Sequence, residues 1–163
     1  MSEENKLKRK SPRATFHNYS NGDYYVTICT KNKKHYFGDI KDGEMYLNLI
    51  GEYCKLQMEK IATHYPYATI PLYVIMPNHI HAIICIDSNL ESRTLEPSVP
   101  TRSLLSRLVG GFKRSITLFA KENNIEFNWQ SRYYDHIIRG VNDKNMIAEY
   151  IEDNIIRWEL KIL

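Results

Sequence analysis

TIPLYVIMPNHIHAIICI, at residues 69–86, contains two apolar runs with Pro77 and Asn78 between them. The first run, at 69–76, is rich in β-branched and aromatic residues, so it predicts a β-strand that Pro77 and Asn78 stop or bend. The second run, at 79–86, is almost entirely apolar, which is typical of a strand in the middle of a sheet. The stretch therefore predicts two strands, of which the second is central.

The segments before this stretch add a strand and a helix. Residues 24–32 are dense in β-branched and aromatic residues and predict a strand. LysAspGly at 41–43 is a turn signal that fits a short hairpin. From Asn48 to His64 apolar residues recur at helical spacing, and Asn48 is suited to cap the helix.

The segments after it predict a loop over 87–101, a helix from about 103, a short strand around 125–130 and an extended stretch at 129–139. The helix has an apolar stripe formed by Leu104, Leu105, Leu108, Phe112, Ile116 and Phe119. Inside it, Gly110 and Gly111 indicate either close packing or close approach of a DNA backbone. A last helix is expected from Asn142 or Asp143 to about Arg157.

Strand, helix, two strands, helix, strand is the order of a ferredoxin-like α+β domain with an antiparallel sheet. We expect helices on one face of the sheet and an added C-terminal helix that carries Tyr150. The 163 residues fit one domain, predicted over 21–163, preceded by a flexible basic segment at 1–20.

Composition limits the setting in which the protein works. No apolar run approaches the ~20 residues that cross a bilayer, so we expect no membrane partner. Cys29, Cys54 and Cys85 are odd in number and far apart, which favours neither a disulfide framework nor a thiolate zinc site. A reduced, cytoplasmic protein is the prediction.

The charge distribution permits nucleic-acid binding without demonstrating it. The net charge is +3 and the isoelectric point about 8.7. Basic residues form three clusters, at 6–10, at 31–34, and within the helix that begins near 103. Ordinary solvated side chains explain any one of these clusters equally well.

The most specific local motif is MPNHIH at 76–81. On a strand, residues i and i+2 point to one face, so His79 and His81 would present two imidazoles side by side. Neutral imidazoles in that arrangement suit a divalent cation. A bare HxH pair is more often one exposed and one buried histidine. Two polar rings on an apolar strand, however, need partners.

A second group of polar residues lies on the final helix. Tyr150 and Asn154 are four residues apart, so they share one helical face. A phenol beside a metal-bound phosphate can act as a nucleophile, and the Asn154 carbonyl oxygen can be a third metal ligand. By itself this helix is more typical of a tyrosine at the core edge and a solvated asparagine than of a reaction centre.

Taken together, MPNHIHAI, SLLSRLVGGFKRSIT, WQSRYYDHIIR and EYIEDNIIRWEL resemble the REP-associated branch of the HUH single-tyrosine transposases. YYVTICTKNKKHYFG near the start is similar to that branch as well. The likeness covers nearly the whole chain from about residue 10, with its motifs in the right order.

The resemblance implies that His79 and His81 hold Mg²⁺ or Mn²⁺ and that Tyr150, rather than Tyr133 or Tyr134, is the nucleophile. It implies strand cleavage and transfer of single-stranded or hairpin DNA through a 5′-phosphotyrosine, that is, DNA transposition. Asn154 matches the family's asparagine. Ile155 stands where the family has a proline, and we expect this change to lengthen the helix.

DNA contacts are expected outside the reaction centre as well, and the alternative is that these side chains are ordinary surface charges. The candidates are Arg102, Arg107, Lys113, Arg114, Arg132, His136 and Arg139. The sequence leaves both a monomer and a homodimer open. Rival functions are a non-catalytic single-stranded nucleic-acid-binding protein with the same sheet, a hydrolytic metal phosphodiesterase, and a degenerate transposase retained for binding.

Overall fold

A computed structural model describes residues 21–90 and 101–160 of the chain. The predicted basic segment at 1–20, most of the predicted loop at 87–101 and the last three residues lie outside these ranges. No helix within the two described ranges is long and apolar enough to cross a bilayer.

The centre of the fold is a four-stranded antiparallel sheet. Its strands are β1 (Asn21–Cys29), β4 (Ala68–Ile75), β5 (His79–Asp87) and β6 (Tyr134–Ile137), in the order β4-β5-β1-β6. The apolar strand β5 is therefore central, as predicted. Strands β2 (Gly38–Lys41) and β3 (Glu44–Leu47) form a separate hairpin. Its turn lies at the predicted position, where Asp42 and Gly43 adopt φ of 51° and 78°.

Three helices pack on one face of the sheet: α1 (Leu49–Glu59), α2 (Ile61–His64) and α3 (Thr101–Glu122). Asn48 caps α1 as predicted, since its Oδ1 accepts a hydrogen bond of 2.9 Å from the Gly51 amide. The apolar stripe of α3 is buried against the sheet. The sheet residues in this core are Tyr24, Val26, Ile28, Ala68, Ile75, Ile80, Ala82, Ile84, Ile86 and Ile137.

The C-terminal part differs from its prediction. Two helices, α4 (Gly140–Glu152) and α5 (Asn154–Glu159), replace the expected single helix, because Asp153 leaves helical geometry at φ −90° and ψ 1°. The start at Asn142 or Asp143 was wrong by a few residues. The N-cap residue is Arg139. Asp143 lies in the first turn of the helix, and its carboxylate accepts a hydrogen bond of 2.9 Å from the Arg139 amide. Helix α4 lies against β4 and β5.

The strand expected around 125–130 was also wrong. Only Trp129 in that segment pairs with a strand end, through an isolated bridge to Thr30, and the regular strand is the later β6. The segment's aromatic residues pack on rings rather than in a ladder, since Phe127 lies 4.9 Å from Tyr36 and 4.8 Å from Trp129 between ring centroids. The overall class, α+β with an antiparallel four-stranded sheet, is as predicted.

The two consecutive glycines of α3 allow a matched test of packing. A Cβ at Gly111 would run into the hydroxyl of half-buried Tyr65, whereas a Cβ at Gly110 would meet nothing within 4 Å. We expect Gly111→Ala to lower the free energy of unfolding by about 1–3 kcal/mol through overpacking. Gly110→Ala should raise it by up to about 1 kcal/mol through helix propensity. Urea unfolding measures both, and stabilisation by both alanines would contradict this packing.

Candidate active site

The register between β1 and β5 sets the position of the two histidines. Thr27 pairs with His81 and Cys29 pairs with His79, so these four side chains share one face of the sheet. The intervening Ile80 points into the core and is fully buried. The two imidazole centroids lie 4.6 Å apart. The rings are therefore side by side, on the face away from α1 and α3.

Asn78 fixes the proton of His79. His79 Nδ1 lies 2.6 Å from Asn78 Oδ1, while Asn78 Nδ2 donates a hydrogen bond of 3.2 Å to the Lys33 carbonyl. Because Oδ1 can only accept, the His79 proton sits on Nδ1. The lone pair is then on Nε2, the nitrogen that can bind a metal.

His81 is held from the neighbouring strand by residues that the sequence did not single out. Its Nδ1 lies 2.9 Å from the Tyr25 hydroxyl and 3.0 Å from Thr27 Oγ1, and the Tyr25 ring stacks on it at 5.5 Å. Burial raises the pKa of Tyr25 to about 12, so its hydroxyl stays protonated. Each hydroxyl can accept a hydrogen bond from Nδ1–H or donate one to Nδ1, and in the first arrangement Nε2 is free for a ligand.

Both histidines are neutral near physiological pH. Burial is the main cause that lowers the pKa of His79 to about 4 and that of His81 to about 3. The adjacent imidazole lowers the pKa of His81 further. Neutral imidazole is the form that binds metal ions, so no proton has to leave before binding.

The split of the C-terminal helix brings Tyr150 and Asn154 to the histidines. The Tyr150 ring on α4 lies 5.5 Å from the His81 ring. Asn154, the first residue of α5, is fully buried, and its Nδ2 donates to the Tyr150 carbonyl at 3.3 Å. Arg157 lies over the Tyr150 ring, 5.5 Å from its centroid. Sequence reasoning missed Arg157, because the break at Asp153 decides what it contacts.

Asn154 Oδ1 is a buried acceptor that makes no hydrogen bond within the described chain. Asn154 lies close enough to His79 to raise the pKa of that histidine, against the larger effect of burial. The contact between them does not have hydrogen-bond geometry. An orphaned buried oxygen costs free energy unless something binds it. Two imidazole nitrogens and this amide oxygen are ligands that could hold a divalent cation. Within residues 21–90 and 101–160, no set of three His, Cys, Asp or Glu side chains offers an alternative.

A cavity of about 370 Å³ opens beside these groups. Its lining residues are Thr27, Cys29, Lys33, Asn78, His79, His81, Tyr150 and Trp158. Of the two competing tyrosines, Tyr133 places its hydroxyl 3.0 Å from Ser106 of α3. Tyr134 lies on the histidine face but contacts the Tyr25 ring at 6.2 Å. Tyr150 is therefore the tyrosine that lines the cavity.

The seven expected DNA-contact residues, all of them described, lie outside the lining of this cavity. Arg102, Arg107, Lys113 and Arg114 belong to α3, on the other side of the sheet. Lys113 Nζ donates hydrogen bonds of 3.0 Å to the carbonyls of Gln130 and Arg132, which anchors that loop. His136 pairs with Asp143 at 3.0 Å, while Arg132 and Arg139 are exposed.

Comparison with known proteins places the chain in a family. No family model matches it. An uncharacterized protein of Haemophilus influenzae is 39% identical over an alignment of 162 positions, which spans 93% of this chain and 90% of that protein. The chain belongs to the family of this Haemophilus protein. The match spans nearly the whole length of both proteins.

Solved structures identify the fold of this family. The structure of a REP-associated tyrosine transposase bound to a REP hairpin superposes with a TM-score of 0.56 at 17% identity, over 89% of this chain and 74% of that one. This chain therefore shares the fold of that transposase. A transposase candidate from Deinococcus radiodurans R1 gives a TM-score of 0.48 at 15% identity, over 86% of this chain, too weak a likeness to support an argument.

Burial of the two histidines predicts an acid-sensitive fold. The unfolded chain's histidines take up protons near pH 6.5, but the folded ones stay neutral down to about pH 4 and 3. Because the unfolded chain then binds more protons than the folded one, the free energy of unfolding decreases as pH falls below about 6.5. The decrease is about 2 kcal/mol per histidine at about pH 5. Denaturant unfolding with a chelator at about pH 7.5 and about pH 5 measures this loss.

The double variant His79→Gln, His81→Gln is the control for that acid sensitivity. This variant keeps every other titratable group, including the exposed His64. Any loss of stability that it still shows at about pH 5 therefore comes from groups other than His79 and His81. An equal loss of stability in the double variant and the wild type would contradict the burial argument.

Proposed function

We propose that the protein cuts and rejoins single-stranded DNA through a covalent bond between Tyr150 and a 5′-phosphate, as a transposase does. The observation that carries this proposal is that Tyr150 and the paired histidines line one cavity, with the orphaned Asn154 oxygen buried next to His79. A phenol beside a cation site is an arrangement that can carry out covalent phosphoryl transfer.

In this proposal His79, His81 and Asn154 hold Mg²⁺ or Mn²⁺, which when bound would act as a Lewis acid toward a scissile phosphate. The Tyr150 oxygen forms a bond to phosphorus and loses its proton, while the bond to the 3′-oxygen breaks. The products are a 5′-phosphotyrosine and a free 3′-hydroxyl. Attack by another 3′-hydroxyl reverses the linkage, so no nucleotide cofactor is consumed.

The surrounding residues orient the reacting groups. Asn78 fixes the tautomer of His79, and Tyr25 and Thr27 hold the His81 ring through its Nδ1. Arg157 packs its cation on the Tyr150 ring, which restricts the ring and brings positive charge near the developing phosphotyrosine. The similar fold belongs to a protein bound to a DNA hairpin, which supports DNA as the partner here.

The nucleophile is tested by removing one oxygen. Tyr150→Phe should fold, since the ring is partly exposed, but should form no covalent DNA adduct because no nucleophile remains. Tyr133→Phe and Tyr134→Phe are matched controls that should still form it. The measurement is a denaturing gel of labelled single-stranded hairpin DNA with Mn²⁺, followed by mass spectrometry of the adduct. An adduct that persists in Tyr150→Phe would show the assignment to be wrong.

The metal site is tested by calorimetric titration with Mn²⁺. His79→Ala and His81→Ala should abolish binding, and Asn154→Ala should weaken it, because each removes a ligand. Asn78→Ala should reduce affinity about 10–100-fold by freeing the His79 tautomer. His64→Ala, on the exposed end of α2, serves as the control and should bind normally. Unchanged affinity in both histidine variants would exclude this site.

A further inference from the structure

Lys33 is a cation at the cavity that the proposed chemistry does not use. It lines the cavity and makes no ion pair with any described residue. Its neighbour Lys34 is paired with Glu126 at 3.0 Å, and Lys144 is paired with Asp23 at 3.3 Å.

The backbone holds Lys33 in a fixed place. Asn32 and Lys33 both adopt left-handed geometry, with φ of 58° and 56°, which non-glycine residues seldom take unless other contacts impose it. Those contacts are present. Asn78 Nδ2 binds the Lys33 carbonyl, and Thr30 Oγ1 donates to the Lys34 carbonyl at 2.7 Å. The asparagine that orients His79 therefore also holds the Lys33 backbone.

Trp158 is the second unused group at the cavity. Its ring lies 6.2 Å from the His79 ring and 5.4 Å from the His35 ring. The other tryptophan, Trp129, packs among Phe37, Phe112 and Phe127, and its Nε1 donates to the Lys113 carbonyl. Of the two indoles, only that of Trp158 lines the space beside Tyr150.

We propose that Lys33 and Trp158 form a subsite for one unpaired nucleotide next to Tyr150, whose base stacks on Trp158 and whose phosphate pairs with Lys33. The ligand class rests on the proposed function. A cavity of about 370 Å³ is within the range of small-ligand sites. An aromatic ring paired with a lysine is the combination that binds single strands through stacking and charge. Because every base has a π-face, this subsite tolerates different sequences.

Stacking is tested by fluorescence, because the chain has two tryptophans. In Trp129→Phe the remaining emission comes from Trp158, and a short unstructured DNA strand added with a chelator should quench it. In Trp158→Phe the remaining Trp129 emission should stay unchanged. A strand of abasic nucleotides should quench neither variant. If Trp129→Phe does not fold, the difference between wild type and Trp158→Phe gives the same quantity.

Binding measurements separate the two halves of the subsite. Trp158→Ala should weaken binding roughly five- to 100-fold, and Tyr46→Ala, which removes an exposed ring on the β2–β3 hairpin, should not. The slope of log affinity against log salt is negative, and Lys33→Ala should make it less steep by about 0.7. Lys31→Ala, outside the cavity, should leave the slope unchanged.

The outcomes distinguish the subsite from the chemistry. Quenching of Trp158 and a reduced salt slope, without any Tyr150 adduct, would support the subsite and contradict the proposed reaction. Adduct formation with unquenched Trp158 and unchanged binding in Lys33→Ala would overturn the subsite and leave the reaction intact. Equal quenching by the abasic strand would also overturn it, because a stacked base could not be the cause.

Discussion

The antiparallel pairing of β1 with β5 is the constraint on which the site depends. Residues opposite each other share a face, so this register sets His79 and His81 beside Cys29 and Thr27. A shift by one residue would turn both imidazoles into the core and expose Ile80. The register is secured from the other side, where α1 and α3 bury the alternate residues of both strands. Core packing thereby fixes the geometry of the opposite face.

The second constraint is the break at Asp153. An uninterrupted helix would carry the chain after Tyr150 straight on, whereas the break lets Asn154 sink to full burial and Arg157 cover the Tyr150 ring. The break occurs although Ile155 replaces the proline expected there, so the prediction of a longer helix was wrong. At the junction the Asn154 side chain itself binds the Tyr150 carbonyl, which links the two helices without help from proline.

The sequence predicted the features that depend on local periodicity. The i, i+2 spacing of the histidines, the Asn48 cap and the apolar stripe of α3 follow from neighbours within a few residues. Tyr25, Lys33 and Trp158 were not predicted as site residues, because strand pairing and the helix break bring them from distant parts of the chain. The aromatic segment around Phe127 misled for the same reason, since its rings pack on distant partners rather than in a strand.

In the proposed site, β5 and the split helix place two imidazole nitrogens and one amide oxygen around a single divalent cation. Anomalous diffraction from crystals of the protein grown with Mn²⁺ would locate this ion. We expect one strong peak within bonding distance of His79 Nε2, His81 Nε2 and Asn154 Oδ1, on the side of the cavity that Tyr150 lines. A strong peak elsewhere, with none between the two histidines at saturating Mn²⁺, would contradict the proposed site.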